Sequence, residues 1–188
     1  MECRRGYTPP HGAPASIVPP QQQAEFERIA IPHTQSLLRV ARRLTSSSVA
    51  AEDLVQETLL SGWRSFHQFR PDSNIRAWLF RILFNNFYAQ GRKLKSVPPM
   101  VPLTAEARSF APSLDDTMEV SRALQSLEVD HRTVLLLGVV EGFTCREISA
   151  ILDVPVGTVM SRLSRARQTM RTRLGARTPG LACAAKEN

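Results

Sequence analysis

The chain has 188 residues, enough for one ordinary domain or two small ones. It carries 24 lysine and arginine residues against 17 acidic residues, a formal charge of +7, which favours a polyanionic partner. Nucleic acid and an anionic membrane surface would both attract a chain with this positive charge. The longest apolar run, Val134 to Val140, is too short to span a membrane, which needs roughly 18 residues.

Two further features of composition narrow the class of protein. Prolines and arginines interrupt the amino terminus, so no signal peptide is predicted and we expect the chain in the cytoplasm. Cys3, Cys145 and Cys183 are far apart and odd in number, which argues against a disulfide framework and against a zinc knuckle. No metal or other cofactor is expected.

Proline content divides the chain. Residues 1–23 are rich in proline and end in three glutamines, which predicts a disordered tail. A second proline-rich stretch, residues 95–113, predicts a flexible linker. We therefore expect one domain at 24–94, a second at 114–176, and a short tail at 177–188.

The first domain shows helical periodicity. Apolar residues recur every three or four positions in two stretches, at Leu37, Val40, Ala41 and Leu44, and at Val55, Leu59, Gly62, Trp63 and Phe66. Ser46, Ser47 and Ser48 are N-cap candidates for the second of these helices. A turn at Pro71 to Ser73 then precedes a third helix, predicted over about Ile75 to Lys93.

The second domain contains a helix-turn-helix pattern. A short helix is predicted around Leu124, and the run Val134 to Val140 forms another that stops near Gly142. Thr144 and Glu147 have the spacing of a capping box, and the helix they begin should break at 153–155 before a new helix starts. The predicted class is all-α, with two small helical domains joined by a flexible linker.

The last helix has two different faces. Val159, Leu163, Ala166 and Met170 share one side, and Thr158, Ser161, Arg162 and Arg165 share the other. Residues 156–177 include six arginines and no acid, which suits the major groove and its phosphates. A basic helix alone would more often be a solvated surface, but the preceding turn and capping box favour DNA binding.

Three segments resemble the extracytoplasmic-function (ECF) family of sigma factors, within the sigma-70 superfamily. The stretch VPVGTVMSRLSRAR at 154–167 is similar to the region-four signature. AEDLVQET at 51–58 and NIRAWLFRIL at 74–83 resemble regions 2.2 and 2.3. The resemblance covers roughly residues 25–175 and implies a non-enzymatic subunit that binds core RNA polymerase and directs it to promoter DNA.

The resemblance also implies partners and site residues. Region two would bind the β′ clamp helices of polymerase through Asp53, Gln56, Glu57 and Leu60. It would act on the downstream promoter element through Asn74, Arg76, Trp78, Arg81, Tyr88, Arg92 and Lys93. Region four would touch the β flap and bind the upstream element through Val156, Thr158, Ser161, Arg162, Arg165 and Arg167. An anti-sigma factor would hold the free protein inactive.

Aromatic residues on the third helix have two readings. Phe80, Phe84 and Tyr88 recur every four residues beside Arg81, and aromatic rings next to cations can stack on single-stranded bases. Such a row is more often core packing, which we expect for Phe80 and Phe84. Tyr88, polar at its tip and nearer the basic end of the helix, is the better candidate for DNA.

Three other classes of function compete with the sigma-factor interpretation. A basic nuclease would need clustered metal ligands, whereas the four histidines are scattered along the chain. A two-domain helix-turn-helix regulator explains the second domain but not the region-two resemblance. A sigma-like decoy for an anti-sigma factor would keep the protein contacts and lose promoter opening.

Overall fold

The computed structural model describes residues 20–45, 47–96 and 115–174, and all the regular elements within these ranges are helices. This confirms the predicted all-α class. The first half contains α1 (Pro20–Ala30), α2 (Thr34–Leu44), α3 (Ser48–Ser65) and α4 (Ile75–Ser96). The second half contains α5 (Asp115–Gln125), α6 (Val129–Leu135), α7 (Cys145–Leu152) and α8 (Val156–Leu174).

Helix α1 was not among the predicted elements, and it takes in residues 20–23, which the sequence analysis assigned to the tail. Its docking depends on tertiary contacts, because the Phe26 ring meets the rings of Trp63 at 5.5 Å and Phe66 at 5.2 Å, edge to face. Gly62 leaves room for this approach, since a Cβ there would lie 3.5 Å from Phe26. The remainder of the predicted tails, residues 1–19 and 177–188, lies outside the described residues.

The predicted helices of the first domain are present. Ser47 is the N-cap of α3 and accepts a hydrogen bond from the backbone N–H of Ala50 at 3.5 Å; Ser46 lies outside the described residues. Helix α4 starts at Ile75 as predicted and ends at Ser96, so it includes the first two residues of the predicted linker. The rest of the linker, residues 97–113, is not described. Phe80 and Phe84 are buried, which confirms the core interpretation.

A buried arginine joins α5 to α6 in the second domain. One Arg132 nitrogen donates to the side-chain oxygen of Gln125 at 2.8 Å, and another donates to the backbone carbonyls of Gln125 at 2.7 Å and Leu127 at 3.0 Å. Burial lowers the pKa of Arg132. A guanidinium remains charged at neutral pH despite such a shift, so these are charge-assisted hydrogen bonds.

The helix-turn-helix forms at the predicted positions. The Thr144 hydroxyl accepts from the Glu147 N–H at 3.2 Å, and the Glu147 carboxylate accepts from the Thr144 N–H at 2.8 Å, which completes the capping box. Asp153 adopts the left-handed conformation, φ 55°, and ends α7. The carbonyl of Pro155 accepts from Val159 N–H at 3.1 Å, so this proline directly precedes the first residue of α8.

The two domains are in contact. Helix α2 lies against α5 and α6, and α4 lies against α7. Within this contact, the Phe143 ring from the second domain packs edge to face on the Phe80 ring from the first, with 5.5 Å between centroids. Both phenylalanines are buried, so the two hydrophobic cores are continuous.

Removing the capping hydroxyl should destabilise the second domain. Thr144→Ala leaves the N–H of Glu147 without its side-chain acceptor, and we expect a loss of about 1 kcal/mol in the free energy of unfolding. Urea unfolding followed by circular dichroism measures this loss. Thr172→Ala is the control, because that hydroxyl donates to the carbonyl of Gln168 within an exposed part of α8. Equal losses in both variants would contradict the capping role.

Candidate nucleic-acid and polymerase interfaces

The polar face of α8 forms as the spacing predicts. Its opposite side is buried through Val159, Leu163, Ala166 and Met170. Ser161 and Arg165 are exposed, and Thr158 and Arg162 are half-buried at the edge of the same face. Because the apolar side packs against α6 and α7, the polar face cannot rotate independently of the domain.

Two members of the predicted upstream set occupy other positions on α8. Val156 lies in the first turn with 36% of its surface exposed. Arg167 is about 180° around the helix from Thr158, at roughly 100° per residue. Its side chain is half-buried, and its Nε atom is buried without a hydrogen-bond partner. The structure therefore separates Arg167 from the face that carries Thr158, Ser161, Arg162 and Arg165.

Arg162 is already paired within the protein. Its guanidinium forms an ion pair with the carboxylate of Asp130 on α6. The hydroxyl of Tyr88, from the first domain, lies 3.2 Å from the other oxygen of that carboxylate and 3.4 Å from the Thr133 hydroxyl. Asp130 thus connects an upstream candidate to a downstream candidate across the contact between the domains.

The environment of Tyr88 favours its neutral form. Burial is the largest cause of a raised pKa for its phenol, and the negative charge of Asp130 raises the pKa further. The hydrogen bond to Thr133 and the charge of Arg162 act in the opposite direction. Tyr88 therefore stays a hydrogen-bond donor at neutral pH, and its ring is half-buried against Phe87 and the second domain.

The start of α4 brings together three of the predicted downstream residues. Asn74 caps the helix, its side-chain oxygen accepting from the Ala77 N–H at 3.2 Å. Trp78 packs its ring 5.4 Å from that of Phe69. Arg76 donates to the Glu141 carboxylate at 2.6 Å, and its guanidinium lies 4.4 Å from the centroid of the Phe143 ring. Asn74 is exposed, while Arg76 and Trp78 are half-buried.

The other downstream candidates are spread along α4. Arg81 is half-buried and Arg92 is exposed. Lys93 lies in the helix, and its side chain is outside the described residues. The distance from Asn74 to Arg92 along the helix is about 27 Å at 1.5 Å per residue. The predicted downstream set is therefore spread along the length of one helix and does not form a compact pocket, and Arg76 lies about 160° around the helix from Trp78.

The predicted polymerase-binding face of α3 is accessible. Asp53, Gln56 and Glu57 are exposed, and Leu60 has 48% of its surface exposed, while Val55 on the opposite side is buried. The hydroxyl of Ser61 donates to Oε1 of Glu57 at 3.2 Å. An acidic and amide-bearing face with one exposed leucine suits a partner helix that carries arginines.

Sequence reasoning missed two second-domain residues that contact the first domain, Glu141 and Phe143. Glu141 is buried and binds two arginines of the first domain, and neither Glu141 nor Phe143 was in any predicted set. One signal was available in the sequence, because Glu141 directly follows the apolar run 134–140 and continues its spacing from Leu137. Its partners could not be read in the same way, since they are 102 and 65 residues distant.

The described residues hold neither a cluster of metal ligands nor a helix that could cross a membrane. Among residues 20–45, 47–96 and 115–174, no three histidine, cysteine, aspartate or glutamate side chains converge as metal ligands would. None of the helices in these ranges combines the length and the apolar content that crossing a bilayer requires.

The raised pKa of Tyr88 can be tested by titration. In a Tyr7→Phe chain, Tyr88 is the one remaining tyrosine, and the folded protein should show a tyrosinate absorbance midpoint above the ordinary value of about 10. Because folding favours the neutral phenol, this group's contribution to stability is complete below pH of about 10 and declines as pH rises through the folded pKa. The same chain in urea is the control and should titrate near the ordinary value. A folded midpoint at or below it would contradict the buried environment.

Comparison with protein families matches both domains. The model for Sigma-70 region 2 matches residues 32–96, and the model for Sigma-70, region 4 matches residues 117–170. The second match contains the helix-turn-helix, and the first contains α2, α3 and α4.

The chain is also similar to individual sigma factors over most of its length. The chain is 31% identical to RNA polymerase sigma-H factor of Pseudomonas aeruginosa, over 77% of this chain and 83% of that protein. It is 31% identical to ECF RNA polymerase sigma factor SigM of Mycobacterium tuberculosis, over 80% and 77% of the respective chains. Its fold matches the sigma factor RpoE of Bartonella quintana, solved in complex with the anti-sigma factor NepR, with TM-score 0.68 and 34% identity over 80% and 96% of the two chains. Because both sigma-70 regions match and the similarity to ECF sigma factors extends over most of the chain, the chain belongs to the ECF family of RNA polymerase sigma factors.

Proposed function

We propose that this chain binds core RNA polymerase and directs it to promoters by binding an upstream element with α8 and a downstream element with α4. The observation that carries this proposal is the helix-turn-helix, whose last helix presents Thr158, Ser161 and Arg165 outward while its other side is buried. An outward face that combines hydroxyl groups and arginine, with no acid on the helix, can contact phosphates and base edges in the major groove.

The exposed face of α3 is the proposed site for polymerase. Asp53, Gln56 and Glu57 would pair with cationic side chains of the β′ clamp helices, and Leu60 would supply the apolar centre of the contact. The second domain would touch the β flap, as the family implies. This assignment uses different surfaces for polymerase and for DNA, so both can be occupied together.

Helix α4 is the proposed site for the downstream element. Its cations, including Arg81 and Arg92, would contact phosphates, and Trp78 and Tyr88 would stack on bases of the opened strand. Asn74, exposed at the start of the helix, would hydrogen-bond an extruded base. Binding the single strand in this way stabilises the open promoter and lowers the barrier to melting.

Three further assignments follow from membership of the family. We place the protein in the cytoplasm, where RNA polymerase is found. We assign it no catalytic activity of its own, because a sigma factor acts by positioning polymerase. We also expect an anti-sigma factor to bind it, since the related RpoE was solved in complex with the anti-sigma factor NepR.

Transcription with purified components tests the proposal. The chain is mixed with core RNA polymerase and a library of genomic promoters, and the initiated transcripts are sequenced. Starts that share two spaced upstream elements are the expected result. Polymerase binding without transcripts would favour a sigma-like decoy, and duplex binding without polymerase binding would favour an independent regulator.

Arg165 should contribute to recognition of the upstream element. Arg165→Ala removes an exposed guanidinium from the polar face of α8, and we expect a loss of about 1–3 kcal/mol in promoter binding by the polymerase complex, the range for one bidentate base contact. Arg171→Ala is the matched control, an exposed arginine about 220° around the same helix from Thr158. Promoter titrations with both variants measure the difference. Equal losses in the two variants would show that promoter affinity depends on the net charge of the helix and not on the position of Arg165.

Leu60 should contribute to polymerase binding. Leu60→Asp places a charge at the apolar centre of the α3 face, and we expect affinity for core polymerase to fall at least tenfold, or about 1.4 kcal/mol. Val120→Asp introduces the same charge at a residue of α5 that is 40% exposed and serves as the control. Fluorescence anisotropy with labelled protein measures both affinities. Unchanged binding of Leu60→Asp would remove this face from the proposed interface.

A further inference from the structure

Glu141 is a carboxylate without access to solvent that reaches from the second domain into the first. Its side chain is 0% exposed, and each of its oxygens is bound to a different arginine. Oε1 accepts from Arg39 Nε on α2 at 3.1 Å, and Oε2 accepts from a terminal nitrogen of Arg76 on α4 at 2.6 Å. Removing a carboxylate from water is costly unless cations replace its hydration, so the position of Glu141 depends on both arginines.

The backbone that follows α6 positions this carboxylate. Residues Leu136–Val140 form a π-helical turn, in which the N–H of Glu141 donates to the Leu136 carbonyl at 3.1 Å. Gly142 then takes a positive φ of 72°, which reverses the chain and directs Phe143 onto Phe80. The carboxylate and the aromatic ring therefore enter the first domain side by side, and Arg76 contacts both of them.

This contact occupies side chains that the proposed function assigns to DNA. Arg76 is bound by Glu141, while Tyr88 and Arg162 meet at Asp130. Less than a third of either arginine side chain is exposed, 29% for Arg76 and 26% for Arg162. A promoter phosphate needs the same guanidinium groups that the two carboxylates hold, so DNA and the domain contact compete for them.

We propose that Glu141 is an interdomain latch that holds the free sigma factor in a closed, self-inhibited state. The latch reduces the fraction of free chain that is competent to join polymerase and promoter, without contributing to the assembled complex. This inference rests on the proposed assignment of Arg76, Tyr88 and Arg162 to DNA. Opening returns Glu141, Arg39 and Arg76 to water, and the phosphates of the promoter then replace the Glu141 carboxylate at Arg76.

The latch can be weakened from either side without altering a proposed DNA or polymerase contact. Glu141→Gln preserves the shape of the side chain and removes its charge. Arg39→Gln removes one cation from α2, and 46% of the Arg39 side chain is exposed, so this change is tolerated more easily by the fold. Glu128→Gln is the matched control, because that carboxylate precedes α6 and is 76% exposed. Circular dichroism verifies that each full-length chain is folded.

Domain separation is measured first, and it requires no sigma activity. Fluorescent dyes are attached through Arg64→Cys on α3 and Gln168→Cys on α8, both exposed positions, in a chain whose native cysteines are replaced by serine. We expect lower energy transfer in Glu141→Gln and Arg39→Gln than in the native chain and in Glu128→Gln. Native transfer in both latch variants would overturn the proposal, whatever the protein does with polymerase.

Activity is measured second, by titrating each chain against a fixed amount of core polymerase and promoter. Opening the latch should lower the sigma concentration for half-maximal transcription by at least about fivefold, the lower end of typical coupling between sites, with an unchanged plateau. An open variant with a native half-maximal concentration would overturn the inhibitory role. Absence of transcription from every chain, the native one included, would instead contradict the proposed function, while the energy-transfer result still decides whether the latch exists.

Discussion

The arrangement of the two domains depends on the neutralisation of one buried carboxylate. Glu141 has no solvent to stabilise its charge, and both of its ion-pair partners, Arg39 and Arg76, belong to the other domain. A carboxylate in this position without cations would be strongly unfavourable, and two partly exposed arginines offset that cost. The Phe143 and Phe80 rings pack beside the charges and limit access of water. The closed arrangement thus combines an electrostatic requirement with apolar burial.

Within each domain, apolar packing decides which polar groups face outward. The buried stripe of α8 orients Thr158, Ser161 and Arg165 away from the core, and burial of Val55 on α3 directs Asp53, Gln56 and Glu57 to the surface. Core packing therefore determines which residues lie on the surfaces proposed for DNA and for polymerase. Two arginines at the contact between the domains are less available to DNA than the outward-facing groups, because Arg162 and Arg76 are bound to carboxylates of the protein itself.

Much of the fold was predictable because its signals are local. The capping box of Thr144 and Glu147, the break at 153–155, and the buried face of α8 all follow from spacings of three or four residues, and the structure confirms them. Helix α1 could not be predicted in this way, since its docking depends on Trp63 and Phe66, about forty residues later. The predicted DNA and polymerase contacts, including those of Arg165 and Leu60, remain predictions, and Arg167 lies on a different face from Thr158, Ser161, Arg162 and Arg165.

The amino-acid sequence by itself determined the helical class, the helix-turn-helix and the residue types on each helical face, because these depend on periodicity, capping and turn chemistry within a few neighbouring positions. Only the tertiary structure decided which of the cations are accessible. Arg165 and Arg92 face solvent, whereas Arg76 and Arg162 are engaged by Glu141 and Asp130. Charge on an arginine is a property of the residue, but its availability depends on carboxylates brought close by the packing of helices distant in sequence.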